Sequence, residues 1–308
     1  MENHAIVLMS TYNGQQYLKE QIQCIFDQTY AGKITILVRD DGSKDDTLPI
    51  LEGYTQTENR KIKLIKGQNL GPQKSFLELI RLADPADYYF FADQDDIWDL
   101  DKIEIAVNAM ADSESVPASY CSNFRHSDMD LNIYDSAAIK QTPNFSPLSI
   151  IFYNKIPGCV MGLNRALMDK LKQLQLDDVM MHDSMALAYA ALTGNVIYDP
   201  QPRITHRIHR DNVVGDGHKK IVLHKWIPEK LKLLRHKESY DLSVLAEQFL
   251  AVAADNIHDQ YRDDIRLLRD FKKSRKETMK LLRHPDTQGP LLDRTVLSIR
   301  SKIFFRLF

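Results

Sequence analysis

Cysteine is scarce in this sequence, and its scarcity excludes two classes of protein. The 308-residue chain contains only Cys24, Cys121 and Cys159, an odd number of residues that lie far apart. This spacing forms neither a disulfide framework nor a zinc-binding motif. We therefore predict that the three thiols are reduced, as they are in a cytoplasmic protein.

Long apolar runs and an excess of charge of one sign are also missing. No stretch approaches the roughly 18 apolar residues that a membrane-spanning helix requires. The first apolar run, residues 5–9, is too short for a signal sequence. A formal net charge of -2 gives no reason to expect nucleic acid as the main partner. We expect a protein that does not cross a membrane and does not bind nucleic acid.

The common glycine-rich phosphate-binding loops are absent as well. No G-x-G-x-x-G follows the first apolar run, and no G-x-x-x-x-G-K-[ST] occurs anywhere. These absences argue against dinucleotide-binding Rossmann domains and P-loop enzymes.

The first hundred residues alternate between two hydrophobic periods. Short apolar, β-branched or aromatic runs at 5–9, 34–38, 62–65 and 88–91 predict strands. Apolar residues at helical spacing lie between the first two runs and after the third. This alternation predicts an α/β fold with a mostly parallel sheet covered by helices.

The rest of the chain divides near residue 215. Residues 113–180 show a looser pattern that is richer in Pro, Ser and Asn. A helix is predicted over 182–194, with Gly194 as its C-cap, and a short strand over 196–198. Beyond residue 216 we expect a helical extension dense in Lys, Arg and Leu. A length of 308 residues suits one catalytic domain, 1–215, and this extension, 216–308.

Polar side chains follow three of the predicted strands. The first runs into "STYNG", the second into "RDDGSKDDT" and the fourth into "ADQDD". Ligands bind beyond the carboxyl ends of strands in open α/β sheets. Carboxylates repel a diphosphate unless a divalent cation lies between them, and Mg²⁺ or Mn²⁺ prefers oxygen ligands. We therefore interpret the D-x-D formed by Asp93, Gln94 and Asp95 as a site for a metal that carries a nucleotide diphosphate.

Seven segments follow one another in order over roughly residues 4–215. They are "STYNGQQYLKEQI", "RDDGSKDDT", "NLGPQKSF", "FFADQDDIWDLDK", "IPGCVMGLNRALM", "HDSMALAYAALTGNVIY" and "HRIHRDNVVG". Together they resemble the family 2 glycosyltransferases, and most closely the rhamnosyltransferase-like subgroup that builds bacterial surface polysaccharides. The resemblance implies a GT-A fold, a divalent metal, and a single displacement at the anomeric carbon with inversion.

The same resemblance implies where the nucleotide sugar binds. Ser10, Thr11 and Tyr12 would surround the base, with Tyr12 stacked on a pyrimidine. Asp41 would accept a hydrogen bond from the pyrimidine N3–H. Asp40 would have a structural role and would not contact the ligand. The alternative to nucleotide binding is a purely structural role for both segments, as a turn that leads into the next helix and its N-cap.

The remaining site residues are also assigned through the resemblance. They are the metal ligands Asp95, Asp93 and His209, with Asp93 contacting the ribose or the metal, the phosphate-neutralising Arg207 or Arg210, and the general base Asp183. Asp96 would support the metal loop from behind, and Cys159 would pack rather than act as a nucleophile. A charge favourable to a helix N-terminus is the alternative for Asp183. A basic turn with a core histidine is the alternative for His209.

The basic C-terminal segments suggest a membrane surface. Residues 217–237 carry seven Lys or Arg against one Glu, interleaved with apolar residues, and 300–308 repeat the pattern. We expect either contact with the anionic cytoplasmic leaflet, where a lipid-linked acceptor lies, or packing on the catalytic domain. Oligomerisation through these helices is a further possibility.

Several functions are left open by the sequence. The favoured donor is dTDP-rhamnose, on the resemblance alone, and a UDP-hexose is the alternative. The acceptor would be a glycan or lipid-linked glycan. A nucleotidyltransferase would normally show a glycine-rich basic loop after the first strand, which is missing here. A catalytically inactive binding module would have lost the D-x-D or the base, and both are present.

Overall fold

The computed structural model describes residues 3–54, 58–175, 180–209, 242–253 and 255–287. Within these ranges one sheet of nine strands is flanked by helices. The strands are β1 (His4–Thr11), β2 (Lys33–Asp40), β3 (Arg60–Lys66), β4 (Tyr88–Ala92), β5 (Ile97–Trp98), β6 (Ala118–Ser127), β7 (Ile133–Asp135), β8 (Met161–Asn164) and β9 (Asn195–Arg207).

Ten α-helices accompany the sheet in the same ranges. They are α1 (Leu18–Phe26), α2 (Thr47–Glu52), α3 (Pro72–Leu82), α4 (Lys102–Met110), α5 (Pro147–Tyr153), α6 (Arg165–Leu171), α7 (His182–Thr193), α8 (Leu242–Ala253), α9 (Arg262–Asp270) and α10 (Arg275–Arg283). The predicted α/β class is confirmed, and so is the helical character of the C-terminal region where the structure describes it.

The sheet has a parallel half and a mixed half. Its strand order is β3-β2-β1-β4-β8-β6-β9-β5, and β7 pairs with β6 beside this path. The first four strands in this order are parallel to one another. Strand β8 runs antiparallel to both β4 and β6, whereas β6 and β9 are parallel.

The parallel half forms because three of its strands, β1, β2 and β4, are nearly continuous apolar runs. All five residues of β4 are buried, as are seven of the eight residues of β2. Strands covered by helices on both faces have this composition. Thr11 is in register with Asp40, and Met9 with Ala92, so β1, β2 and β4 end at the same edge of the sheet. The three polar segments of the sequence therefore meet there.

The mixed half contains strands that the sequence did not predict. Strand β6 is buried over most of its length, yet Ser119 and Ser122 lie inside it and are fully buried. Strand β9 was expected over 196–198 and extends to Arg207. Pro202 lies in this extension, where the β6–β9 register shifts at Asn123. A bulge lets a strand tolerate proline, which cannot donate to the ladder.

Helix α7 ends at a glycine for a steric reason. The predicted helix over 182–194 is confirmed, and the backbone N–H of Gly194 caps it on the carbonyl of Ala190. A Cβ on Gly194 would lie 1.9 Å from the carbonyl oxygen of Pro117. The glycine is therefore required by this close approach, which brings the end of α7 against the start of β6.

The C-terminal helices pack on the rest of the chain. Leu245, Phe249 and Leu268 belong to the same buried cluster as the sheet. The ring of Phe249 packs edge to face on Tyr189 of α7, with 5.2 Å between ring centroids. The predicted boundary near residue 215 lies outside the described residues, and the two-domain division stays a prediction. None of the helices that the structure describes is long and apolar enough to cross a membrane.

Candidate functional site

The acidic loop Asp93–Asp96 connects β4 to β5 at the carboxyl edge of the sheet. Asp95 and His209 are both more than nine-tenths buried, and their Oδ2 and Nε2 atoms are 2.8 Å apart. The structure thus brings together two of the three predicted metal ligands, one from each of two distant segments. Oδ1 of Asp95 is buried and has no hydrogen-bond partner among the described residues.

A second group of ligating atoms lies directly beside this pair. Asp93, Asp96, Cys159 and His206 place one carboxylate, thiol or imidazole atom each within 4.8 Å of one another. Nδ1 of His206 is 2.7 Å from Oδ1 of Asp96. Asp93, the third predicted ligand, is grouped with these residues. Oδ2 of Asp96 is the second buried carboxylate oxygen without a partner in the described part of the chain.

These buried oxygens fit a divalent cation. A buried carboxylate oxygen without a partner costs free energy, and a metal ion recovers it. Carboxylate oxygens with one imidazole nitrogen, as Asp95 and His209 offer, suit Mn²⁺ or Mg²⁺ bound partly by substrate phosphates. The loop therefore has the donor atoms that the sequence led us to expect.

The electrostatics of the loop follow from burial and from its own charges. Burial raises the pKa of Asp93 to about 7, and the negative charges of Asp96 and Asp95 add to the effect. Burial alone would also raise the pKa of Asp96, but the charge and hydrogen bond of His206 outweigh it and lower that pKa. The pKa of His206 is raised to about 9, because the attraction of Asp96 exceeds the cost of burial. A second positive charge at this loop would relieve the repulsion among the carboxylates.

The predicted general base lies at the start of α7. Oδ1 of Asp183 accepts hydrogen bonds from the backbone N–H of Ser184 at 2.5 Å and from its hydroxyl at 3.2 Å. Burial raises the pKa of Asp183, and hydrogen bonds from Ser184 and from the backbone of Gly158 oppose the rise. The negative charge of Asp183 makes a small contribution to the raised pKa of Asp93.

His182 precedes the base and is held neutral. Its ring stacks on Phe76 at 3.9 Å and meets Phe91 edge to face at 4.5 Å. Burial lowers the pKa of His182 to about 3. A Cβ on Gly158 would lie 2.6 Å from its Nε2, so this glycine is needed for the imidazole to fit beneath the 3₁₀ turn at Gly158–Val160.

The predicted nucleotide contacts lie at the ends of β1 and β2. The hydroxyl of Thr11 donates to Asp40, and that of Ser10 donates to Ser75 at 2.7 Å. Tyr12 is 43% exposed, which leaves its ring available to a ligand. Asp40 accepts from the backbone N–H of Ser43 at 2.9 Å, in agreement with its expected structural role.

Asp41 is part of a buried ion pair. Its carboxylate contacts the guanidinium of Arg39, and both side chains are at least 94% buried. The backbone N–H groups of Leu70 and Gly71 also donate to Asp41, at 2.8 and 2.9 Å. Arg39 reaches further to Ser75 at 3.1 Å. Asp41 thus lies where the sequence led us to expect it, but with its charge already compensated.

Arg207 is buried within the same region. Its guanidinium donates to the carboxylate of Glu20 at 2.5 Å, to the carbonyl of Asp95 at 3.1 Å and to the carbonyl of Met129 at 2.9 Å. It also lies over the ring of Tyr17, 4.6 Å from the centroid. Arg207 therefore ties the acidic loop to α1, and its predicted contact with phosphate stays a prediction. Arg210 lies outside the described residues.

One further buried residue, Lys102, was not singled out from the sequence. Lys102 is fully buried, and its Nζ lies 3.3 Å from the ring centroid of Trp98. Burial lowers the pKa of Lys102 to about 7. Burial raises the pKa of Cys159 well above its usual value, so the residue is a neutral thiol, as expected of a packing residue. The sequence signal that could have identified Lys102 is its position at the end of a run of aromatic and acidic residues.

Comparisons with known proteins agree with this geometry. The model of the family described as "Glycosyl transferase family 2" matches residues 6–170. A dTDP-rhamnosyl transferase, RfbG of Shigella flexneri, is 30% identical over 224 residues, which cover 67% of this chain and 73% of RfbG.

Two solved structures share the fold. The structure of S. aureus TarS 1-349 in complex with UDP-GlcNAc has a TM-score of 0.58 and 16% identity, and covers 97% of this chain and 79% of that one. The mannosyltransferase PcManGT from Pyrobaculum calidifontis, in complex with GDP-Man and Mn²⁺, has a TM-score of 0.54 and 15% identity, and covers 99% of this chain and 81% of that one. At these identities the likeness shows the fold alone.

Proposed function

The chain belongs to glycosyltransferase family 2, and from that premise we propose that it is a metal-dependent, inverting enzyme of cell-surface polysaccharide synthesis. It transfers a sugar from a nucleoside diphosphate to a hydroxyl of a glycan or lipid-linked glycan. The observation that carries the proposal is the pairing of Asp95 with His209 at the carboxyl edge of the sheet, where one oxygen of Asp95 has no hydrogen-bond partner among the described residues.

The proposed donor is dTDP-rhamnose. It is supported by the relative named a dTDP-rhamnosyl transferase, which matches two thirds of this chain. A UDP-hexose is the second candidate, because thymine and uracil both have an N3–H group that could donate the proposed hydrogen bond to Asp41. The buried pair of Arg39 and Asp41 favours a neutral hydrogen-bonding base there, since the pair carries no net charge to be neutralised.

The proposed chemistry needs a proton acceptor and a stabilised leaving group. Asp183 takes the proton of the acceptor hydroxyl, and the backbone N–H and hydroxyl of Ser184 hold its carboxylate in one orientation. Asp95 and His209 are the proposed metal ligands, with Asp93 contacting the ribose or the metal. A bound Mn²⁺ or Mg²⁺ supplies charge neutralisation to the leaving diphosphate.

The proposed phosphate contact of Arg207 is electrostatic. Its guanidinium is bonded both to the backbone of Asp95 and to the carboxylate of Glu20. Contact with a diphosphate would therefore require Arg207 to share its charge between Glu20 and the phosphate.

A thermal-shift screen tests the donor class. We expect dTDP, dTDP-rhamnose or UDP-sugars to raise the unfolding midpoint with Mn²⁺ and to do so much less with EDTA, because a ligand that binds only the native state stabilises it. Asp95→Ala should lose most of this metal-dependent shift and all sugar transfer. A wild-type protein that no nucleotide sugar stabilises, with or without metal, would refute the proposal.

We further propose that the enzyme works on the cytoplasmic face of the membrane. The proposal is supported by the basic and apolar composition of residues 217–237 and 300–308, which lie outside the described residues. Cosedimentation with liposomes containing anionic lipid should be stronger for the full chain than for a chain ending at residue 216. Equal partitioning at low salt would count against membrane contact.

A further inference from the structure

Gln94, the middle residue of the D-x-D, makes an unusual contact. Its Oε1 accepts a hydrogen bond from the backbone N–H of Tyr12 at 2.9 Å, and its Nε2 donates to the carbonyl of Tyr12 at 3.1 Å. The side-chain amide of Gln94 thus forms hydrogen bonds with both the N–H and the carbonyl of Tyr12, as the backbone of a neighbouring β-strand would. The contact joins the loop after β1 to the loop after β4, 82 residues apart in sequence.

The loop after β1 is shaped to receive this amide. A Cβ on Gly14 would lie 2.3 Å from Oε1 of Gln94, so only glycine leaves room for the side chain. Asn13 adopts a positive φ of 50°, which is uncommon for a residue with a side chain. The N–H of Asn13 donates to Ser43 at 2.9 Å, which holds the loop from its other side.

The two loops joined by Gln94 carry different parts of the proposed site. Tyr12 is the residue proposed to stack on the base, and its ring is 43% exposed. Asp93 and Asp95, which flank Gln94 directly, are proposed to hold the ribose or metal. The separation between the base and the diphosphate is fixed by the nucleotide itself. A protein that fixes the matching separation beforehand loses less conformational entropy on binding.

We propose that Gln94 is a positioning residue that holds Tyr12 at a set distance from the acidic loop, so that the base and diphosphate ends of one nucleotide bind together. This inference rests on the proposed function, because it assumes a nucleoside diphosphate ligand. Glutamine is required for chemical reasons. A glutamate of the same length has no N–H to donate to the carbonyl of Tyr12, and it would add a charge between two carboxylates.

A set of five proteins tests the inference by isothermal titration of dTDP in the presence of MnCl₂. The proteins are the wild type, Gln94→Met, Tyr12→Ala, the double variant Gln94→Met/Tyr12→Ala, and the control Gln16→Met. Methionine keeps the length of glutamine and removes both hydrogen bonds. Gln16 is exposed, lies near the same loop and has no assigned role, so the same substitution there should leave the affinity unchanged.

We expect Gln94→Met to weaken dTDP binding about tenfold. The decisive result is non-additivity, because Gln94 acts through Tyr12. In the Tyr12→Ala background, Gln94→Met should weaken binding by no more than about twofold. The affinity of Gln94→Met for Mn²⁺ alone should stay at its wild-type value, because the proposed metal ligands are intact. The electron paramagnetic resonance signal of free Mn²⁺ measures this affinity.

Three results would overturn the inference. They are an unchanged dTDP affinity in Gln94→Met, additive losses in the double variant, and an equal loss in the Gln16→Met control. If the wild type binds dTDP but these results appear, the coupling is wrong and the proposed function stands. If the wild type binds neither dTDP nor UDP, the proposed function fails, and the inference fails with it.

Discussion

Asp183 has a structural role at the start of α7, and its chemical role is a proposal. Its carboxylate lies at the N-terminus of α7, where the helix dipole favours a negative charge and the N–H of Ser184 is a partner. These contacts alone would explain an aspartate there. The chemical role proposed for Asp183 comes from the family resemblance, and its negative charge also contributes to the raised pKa of Asp93 in the acidic loop.

We therefore predict that Asp183→Asn separates binding from turnover. The asparagine keeps the size of the side chain and one acceptor oxygen for the N–H of Ser184, but it cannot take a proton. Nucleotide affinity should stay within about twofold of wild type, while turnover should fall by roughly a factor of 10²–10⁴. Titration calorimetry and a transfer assay on the same preparation measure the two effects. Near-normal turnover would show that another group is the base.

The buried pair of Arg39 and Asp41 leads to a prediction about stability. Removing one partner leaves an uncompensated charge in a site that is more than nine-tenths buried. Arg39→Met should lower the free energy of unfolding by about 3–5 kcal/mol in urea titrations. The double variant Arg39→Met/Asp41→Asn should recover a large part of the loss. A double variant no more stable than the single one would show that the hydrogen bonds of Arg39, and not its charge, dominate.

Some site residues could be found from the sequence and others could not. Asp95 and His209 belong to motifs, so their roles were predicted by resemblance before their contact was seen. The pairing of Asp96 with His206 spans 110 residues and depends on the alignment of β5 with β9, in which Ile97 is opposite Thr205. No local pattern encodes that alignment. The buried partner of Asp41 is likewise a matter of packing rather than of sequence motif.

At the scale of single elements, α8 links the C-terminal region to the helix that carries the proposed base. Phe249 is fully buried on this helix and contacts Tyr189, two turns along α7 from Asp183. Because α7 carries the proposed base, the position of the base depends in part on a helix from the C-terminal region. The C-terminal helices are therefore part of the core on which the site rests.

We predict that Phe249→Ala lowers the free energy of unfolding by about 3–5 kcal/mol, because it leaves a cavity in the core. Val244 lies on the same helix and is 38% exposed, so Val244→Ala is the matched control. The control should change stability by no more than about 0.5 kcal/mol. Equal effects of the two substitutions in urea titrations would mean that α8 does not pack as described.

Prediction of the elements from sequence succeeded where the sequence contains a recognisable apolar run and failed where buried polar residues interrupt such a run. The apolar runs of β1 to β4 predicted four parallel strands, and the structure confirms them. Strand β6 has no comparable run because buried Ser119 and Ser122 interrupt it. The extension of β9 contains two prolines, which argue against a strand until the bulge opposite Asn123 is known.

At the scale of the whole molecule, buried charges near the acidic loop make opposing contributions to stability. The pKa of His206 is raised to about 9, so its stabilising pairing is complete below the unfolded pKa near 6.5 and is lost as the pH rises to 9. The pKa of Lys102 is lowered to about 7, so the cost of burying its charge is relieved as the pH rises above 7. The two contributions offset each other in the wild type.

Variants should separate these contributions in EDTA. The destabilisation caused by His206→Gln should shrink as the pH rises from 6.5 to 9, whereas Lys102→Met should be more favourable relative to wild type at pH 7 than at pH 9. Urea titrations at several pH values measure both differences. Parallel, pH-independent differences would show that neither group titrates in the folded protein as its surroundings indicate.

The junction at Gly194 has a consequence for how this enzyme can evolve. The 12-residue helix α7, which carries the proposed base Asp183, and the 13-residue strand β9, which contains His206, are joined there by Gly194, which has no room for a side chain beside Pro117. The length of this segment therefore limits the separation between the proposed base and the proposed metal loop. Insertions between Asp183 and His206 should be rare among active relatives, and changes of acceptor should arise elsewhere.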